Sequence, residues 1–187
     1  MTLALYFAPG SSSMAPHIAL HEVGAAFEAI PVSFAKDETR SADFLAVNPE
    51  GKVPALLVDG RPLTEVAGIL YYLARAYPQA RLMPTGDPEA EAQVVSWMSF
   101  IASTVHPARR QGLEHAKDVY ALADRRLADP HWGAKGWAAG DYSIADIHLF
   151  RLYWRFAGSL HPPPGDPRAQ PVVAGSDRSG APSPGSS

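Results

Sequence analysis

Fourteen residues, Val53 to Val66 (VPALLVDGRPLTEV), constrain this chain more than any other part of it. Val53 to Val58 is a short, almost wholly apolar run, which reads as a buried strand. Asp59-Gly60 then signals a tight hairpin, because a type I′ turn needs positive φ at both central residues. After a brief return strand, Thr64 is placed to cap a helix whose first turn carries Glu65. One compact unit thus offers a fixed X-Pro bend, a sheet edge and a helix N-terminus. The helix end presents free backbone N–H groups and a partial positive charge, a natural seat for a carboxylate. The stretch reads as half of a ligand site.

The residues before it supply the rest of a small α/β unit. Leu3 to Phe7 reads as a first strand, stopped by Pro9-Gly10. Three serines lead into an amphipathic run from Met14 to Val23, with Gly24 as its C-terminal stop. Pro16 is tolerated because the first turn of a helix needs no N–H donors. Phe27 to Phe34 reads as a second strand, and a β-α-β crossover pairs it parallel beside the first. A short helix is expected around Ser41 to Ala46, with a turn at Pro49-Glu50-Gly51. The helix opened by Thr64 and Glu65 should run to about Tyr77, where Pro78 ends it. The order is β-α-β-α-β-β-α over residues 1–78, with a mixed sheet.

Residues 79–87 are rich in Pro, Gly and Asp and read as a linker. From Pro88 the period turns helical, with Val94, Trp97, Met98, Ile101 and Val105 on one face. A second helix, about Ala116 to Leu127, carries Val119, Tyr120, Ala123 and Leu127. Tyr142-Ser143-Ile144-Ala145-Asp146-Ile147 signals a third. Ser143 caps it, Asp146 stands in for the Glu of a capping box, and Tyr142 with Ile147 forms a hydrophobic staple. This helix should reach about Phe156, so residues 88–161 form an all-α half. Of the 26 residues from Pro162 on, 16 are Pro, Gly or Ser, too few apolar groups to offset ordering entropy, so a disordered tail is expected over 162–187.

Composition narrows the partners. An apolar content of 47% supports a real core, and a net charge of -3 without any basic run argues against nucleic acid. Leu3 to Phe7 is too short for a signal peptide, and no apolar stretch nears the roughly 20 residues that span a bilayer. There is no cysteine, hence no disulfide, thiolate metal site or protein thiol chemistry. A cytoplasmic location and no membrane partner follow as expectations. His17 and His21, spaced i, i+4, lack an evident third metal ligand. Ser11 to Ser13 fail the nucleophile-elbow pattern because Met14 follows, and no phosphate-binding glycine motif exists.

Four pieces together resemble the cytosolic glutathione transferases, closest to the bacterial beta class: Tyr6 to Ile18 (YFAPGSSSMAPHI), Asn48 to Leu56 (NPEGKVPAL), Leu63-Thr64-Glu65, and Ser143-Ile144-Ala145-Asp146. They span about residues 3–156. The resemblance implies a thioredoxin-like N-terminal domain that binds glutathione as co-substrate, with no further cofactor, and a helical C-terminal domain that shapes the pocket for a small hydrophobic electrophile. It implies a cis bond at Val53-Pro54, letting the Val53 backbone pair with the cysteinyl part of glutathione like an added strand. Glu65 and the next residue would hold the γ-glutamyl group. That residue is Val66, where many relatives have serine, so a hydroxyl is lost and the N–H remains. Lys52, Val53 and Pro54 would border glutathione, and Lys36 is placed either to meet the glycyl carboxylate or simply in solvent. Ser99, Ser103, Thr104 and Val105 would approach glutathione partly across a homodimer interface, and His106 falls at a site histidine of the class.

Thiolate is the nucleophilic form of glutathione, and an unperturbed thiol has a pKa of about 8.5. Lowering that by about two units needs roughly 2.7 kcal/mol of differential stabilisation, within reach of one aimed donor beside a helix end. Beta-class proteins carry cysteine where this chain has Ser12, so mixed-disulfide chemistry is excluded. Ser12 is the preferred thiolate partner and Ser11 the second, with Ser13 expected to cap the first helix. Asp146 is expected to be structural. Relatives continue with further helices where this chain turns to Pro, Gly and Ser, which suggests a truncated C-terminal domain, a changed reading frame near Asp166, and an uncovered apolar face on helix 143–156 drawn from Ile147, Phe150, Leu152, Trp154 and Phe156. The expected activity is conjugation of glutathione to small electrophiles. The alternatives are a non-catalytic glutathione-binding or interaction module and a zeta-type glutathione-dependent isomerase.

Overall fold

The structure of the chain, a computed structural model, describes residues 1–131 and 135–160, the last two through their helical backbone. The expected tail over 162–187 and Trp132 lie outside the described residues. Four strands form one sheet in the order β2-β1-β3-β4: β1 (Leu3–Phe7), β2 (Glu28–Pro31), β3 (Ala55–Val58) and β4 (Arg61–Thr64). β1 and β2 are parallel, joined by α1 (Met14–Glu22), whose end at Gly24 takes a φ of 66°. The central pair, β1 and β3, is antiparallel and sets Leu5 opposite Leu56, both fully buried. β4 is an edge, which is why Pro62 is accommodated opposite Leu57. β2 is shorter than its apolar pattern suggested, and Phe34, beyond Pro31, sits in a turn with 58% of its surface exposed.

The hairpin forms as Asp59-Gly60 requires, with φ of 48° and 78°. Its exit differs from expectation. Thr64 stays in β4 and does not cap; Glu65 occupies the N-cap of α3 (Val66–Ala76) with φ 65°, ψ 127° and no side-chain cap bond. The strand runs to Thr64, leaving one residue to turn the chain into the helix, and that residue takes a backbone conformation that costs about 1–3 kcal/mol outside glycine. Upstream, Ser41 caps α2 (Ala42–Val47) by accepting from the Phe44 N–H. Asn48, 4% exposed, then braces the approach to Val53: its Nδ2 donates to Lys52 O at 2.7 Å and its Oδ1 accepts from Glu50 N at 3.1 Å.

The helical half opens with α4 (Pro88–Phe100), capped by Asp87. It continues through a π-helical turn, Ile101–Val105, one turn at His106–Ala108 and a 3-10 turn at Arg109–Gln111. Gly112, at φ 118°, ends the run, and α5 (Leu113–Leu127) and α6 (Ile144–Leu160) follow. In the segment expected to link the halves, Leu82 and Met83 are buried, and Leu82 O accepts from the Ile144 N–H at 2.9 Å. One core therefore joins Leu5, Leu56 and Leu70 of the first half to Trp97, Ile101 and Ile147 of the second. A smaller cluster of Ala8, Val32, Phe44 and Val53 lies apart from it. This is the thioredoxin-like β-α-β-α-β-β-α unit followed by a helical domain.

Asp146 is structural. Its Oδ2 accepts from the Ser143 N–H and Oγ at 2.9 and 3.0 Å, and its Oδ1 reaches back to the Ala138 N–H at 2.8 Å. α6 runs four residues beyond its expected end. Of its apolar residues, Phe150, Tyr153 and Trp154 are about half exposed, whereas Ile147, Leu152 and Phe156 are buried. The inner stripe of α6 also buries two polar side chains, His148 and Arg151, each 2% exposed.

Asp146→Ala should lower the unfolding free energy by roughly 2–3 kcal/mol in urea titrations, since three donors lose a common acceptor. His148 adds a pH dependence. Burial, aided by the nearby His106 and Arg151, pulls its pKa from 6.5 to about 3. The unfolded chain therefore takes up a proton below pH 6.5 that the folded chain refuses until about pH 3. Stability is unaffected above that window and falls by about 1.4 kcal/mol per pH unit inside it. His148→Leu should flatten the stability profile between pH 6 and about pH 4; parallel profiles for the two proteins would refute this origin.

Candidate functional site at the first helix and the cis-proline turn

The three serines between β1 and α1 take three different places. Ser13, 1% exposed, sits between the N–H and C=O of Ala8, with its Oγ 3.1 Å from each. It holds the N-cap position of α1 but adopts αR angles (φ -65°, ψ -13°) and makes no side-chain cap bond. The expected cap is thus replaced by a brace across the loop, because capping needs the extended backbone that Ser13 lacks. Ser11, 8% exposed, pairs its Oγ with Ser13 Oγ and accepts the Ser13 N–H at 3.2 Å, so its hydroxyl is engaged inside the loop. Ser12 alone is half-buried, two residues ahead of α1 at the positive end of its dipole. Its Oγ donates to Val53 O at 3.3 Å, a long contact that a better acceptor can displace.

Val53 carries the other half. The Val53-Pro54 bond is cis, as the resemblance implied. Two strands later Glu65 is exposed at the mouth of α3, while the Val66 side chain is buried in the core, leaving the first N–H groups of α3 as its offering. Lys52 ion-pairs with Glu50 at 2.7 Å, which raises its pKa; the charges of Glu65 and Arg110 also act on it. Lys36 lies in the loop after β2, pairs with Glu38 at 4.0 Å, and among the described residues has no contact with the Ser12–Val53 unit.

The residues expected from α4 divide. Ser103 turns its Oγ back to Ser99 O at 2.8 Å and lies 3.3 Å from Thr104 Oγ1. Ser99 lines a shallow groove of about 300 Å³ between α3 and α4, together with Ala67, Tyr71 and Val95. Val105 and His106 instead line a cavity of about 330 Å³ between the end of α4 and α6. Burial first, then Arg151, Arg110 and Arg155, hold the His106 pKa below its ordinary value, so the imidazole is neutral at pH 7. Arg151 connects this cavity to the serine loop, its Nε donating to Ser11 O at 3.0 Å.

The sequence reading missed Arg151 and its neighbours. A signal was present: Ile144, Ile147 and Arg151 recur at i, i+3, i+7 on one stripe, so a cation was written into an apolar face. His17 and His21 lie stacked at 5.3 Å and edge-on to Phe27, an aromatic packing arrangement at the back of α1.

The chain matches known proteins in sequence and in fold. Residues 1–75 match the family model "Glutathione S-transferase, N-terminal domain". The glutathione S-transferase GstA of Escherichia coli O157:H7 is 33% identical over 171 residues, covering 85% of this chain and 85% of its own length. A glutathione transferase homologue from Sulfitobacter, solved with bound glutathione, superposes with a TM-score of 0.70 at 36% identity, covering 84% of this chain and 83% of that one. The beta-class glutathione S-transferase of Sphingomonas chungbukensis gives 0.68 at 37% identity, with coverage of 84% and 83%. At 33% identity over 85% of both lengths, and with the same fold, the protein belongs to the glutathione S-transferase family.

Proposed function

We propose that the chain conjugates glutathione to small electrophiles, with Ser12 stabilising the reacting thiolate. The observation that carries this reading is the Ser12 Oγ contact to the carbonyl preceding cis-Pro54. An extended tripeptide pairing with the Val53 backbone brings its cysteinyl sulfur to that hydroxyl. Its γ-glutamyl carboxylate then meets the N-terminus of α3 beside Glu65 and Val66. When the sulfur ionises, Ser12 turns its O–H from Val53 O to the better acceptor, and the end of the α1 dipole adds to the stabilisation. His106, kept neutral, suits hydrogen bonding to the electrophile. Lys52 stands near the peptide backbone, and Lys36 is left to solvent.

The same reading assigns a homodimer through α3 and α4. Tyr71 and Val95 are 48% and 51% exposed beside the groove that contains Ser99, an apolar patch flanking the helices that hold the γ-glutamyl end. Among the described residues no helix is long and apolar enough to cross a membrane.

Calorimetry with glutathione and turnover of chlorodinitrobenzene test the proposal together. Ser12→Ala should keep glutathione affinity within about threefold, lose the ultraviolet absorbance of bound thiolate, and lower kcat/KM by about 10–100-fold, the worth of one hydrogen bond to a charged group. A folded protein that does not bind glutathione would remove the transferase reading; binding without turnover of any electrophile would mark a binding module. Isomerisation of a maleyl substrate without net consumption of glutathione would identify the zeta-type reaction instead. For the assembly, Val95→Glu should convert a dimer to a monomer in light scattering, and a monomeric wild type would overturn the assignment.

A further inference from the structure

Arg151 has a buried charge and too few partners. Its side chain is 2% exposed, Nε donates to Ser11 O, and Nη1 has no hydrogen-bond partner. Arg155, one turn further along α6, and Arg109 and Arg110, just past His106, line the same cavity of about 330 Å³. No carboxylate lines it, and none of these arginines forms an ion pair among the described residues. Burial and the neighbouring Arg155 lower the Arg151 pKa to about 10, which leaves it cationic at pH 7. A surface arginine is often unpaired; a buried guanidinium with an unpartnered N–H, in the wall of a cavity that holds three more unpaired arginines and no carboxylate, marks a site for an anion. Leu152 and Phe156 give the cavity an apolar wall, and its volume lies within the range of small-molecule pockets.

We propose that this cavity receives the acid group of the second substrate, making the preferred electrophile a small carboxylate-bearing molecule whose carboxylate docks on Arg151. The planar guanidinium fork matches a carboxylate in geometry and charge. Arg151 Nε is bonded to the carbonyl of Ser11, the residue before Ser12, and this links the cavity to the loop where the transferase reading, on which this inference rests, sets the sulfur. With a chloro-nitrobenzoate, the thiol proton has passed to solvent, the sulfur lone pair forms the C–S bond, and the C–Cl bond breaks with chloride keeping its electron pair. Arg155, Arg109 and Arg110 at the mouth draw the anion in.

The test is titration of the full chain, saturated with glutathione, with meta-nitrobenzoate and with its neutral amide. The acid should bind about tenfold tighter than the amide. Arg151→Gln should abolish that preference, and Arg155→Gln, on the exposed side, should reduce it by about threefold. If Arg151→Gln does not fold by circular dichroism, the double variant Arg109→Gln/Arg155→Gln decides. Equal binding of acid and amide by the wild type overturns the proposal, as does a preference that survives in every folded variant. Displacement of the acid by glutathione also overturns it, because the cavity would then belong to glutathione's own carboxylates. Glutathione titrated into the same proteins separates the two readings: glutathione binding without acid preference sinks this inference alone, and acid preference without glutathione binding sinks the transferase reading and the second-substrate role with it, leaving Arg151 as an anion site only.

Discussion

The bond from Arg151 Nε to the Ser11 carbonyl joins the two halves of the protein at the point where chemistry is expected. Removing a guanidinium from water costs several kcal/mol unless its donors are met, and here a single backbone carbonyl meets one of them. Such a cost is sustained only because the surrounding core is extensive. Ile144 and Ile147 on the same stripe of α6 pack into the cluster that contains Leu70, Trp97 and Ile101. The helix cannot rotate Arg151 into solvent without exposing them. The cation is thereby held beneath the serine loop, and the loop is held against the helical domain.

Above that anchor, the loop is organised by unequal burial. Ser11 and Ser13 spend their hydroxyls on each other and on Ala8, which makes the turn rigid and leaves Ser12 as the one hydroxyl able to change partners. The carbonyl before cis-Pro54 meets Ser12 from the other side, and the strained Glu65 turn opens α3. Strain of this kind persists where the neighbouring structure over-determines the backbone. At Glu65 the buried Val66 does so.

Much of this was legible in the order of residues. Asp59-Gly60, Ser41, and Ser143 with Asp146 act through backbone geometry and hydrogen bonds a few residues away, so reading them needs no knowledge of the rest of the chain. Errors arose where two local rules competed. Thr64 is a good N-cap and also a good strand residue; pairing with Ala55 in the sheet prevailed, and Glu65 became the turn. Ser13 likewise looked like a cap, but the tight Ala8–Ser13 loop forces αR angles on it and redirects its hydroxyl.

The sequence by itself determined the two-part architecture, the hairpin, the helix starts and the absence of protein thiol chemistry, because periodicity, turn residues and composition are local properties of the chain. Only the tertiary structure decided that Ser11 and Ser13 engage each other while the Ser12 hydroxyl reaches Val53 O, and that among the described residues His106 shares its cavity with four arginines and no carboxylate. The physical reason is distance along the chain. Burial and charge are sums over neighbours in space, and the partner that positions Ser11 lies 140 residues away from it.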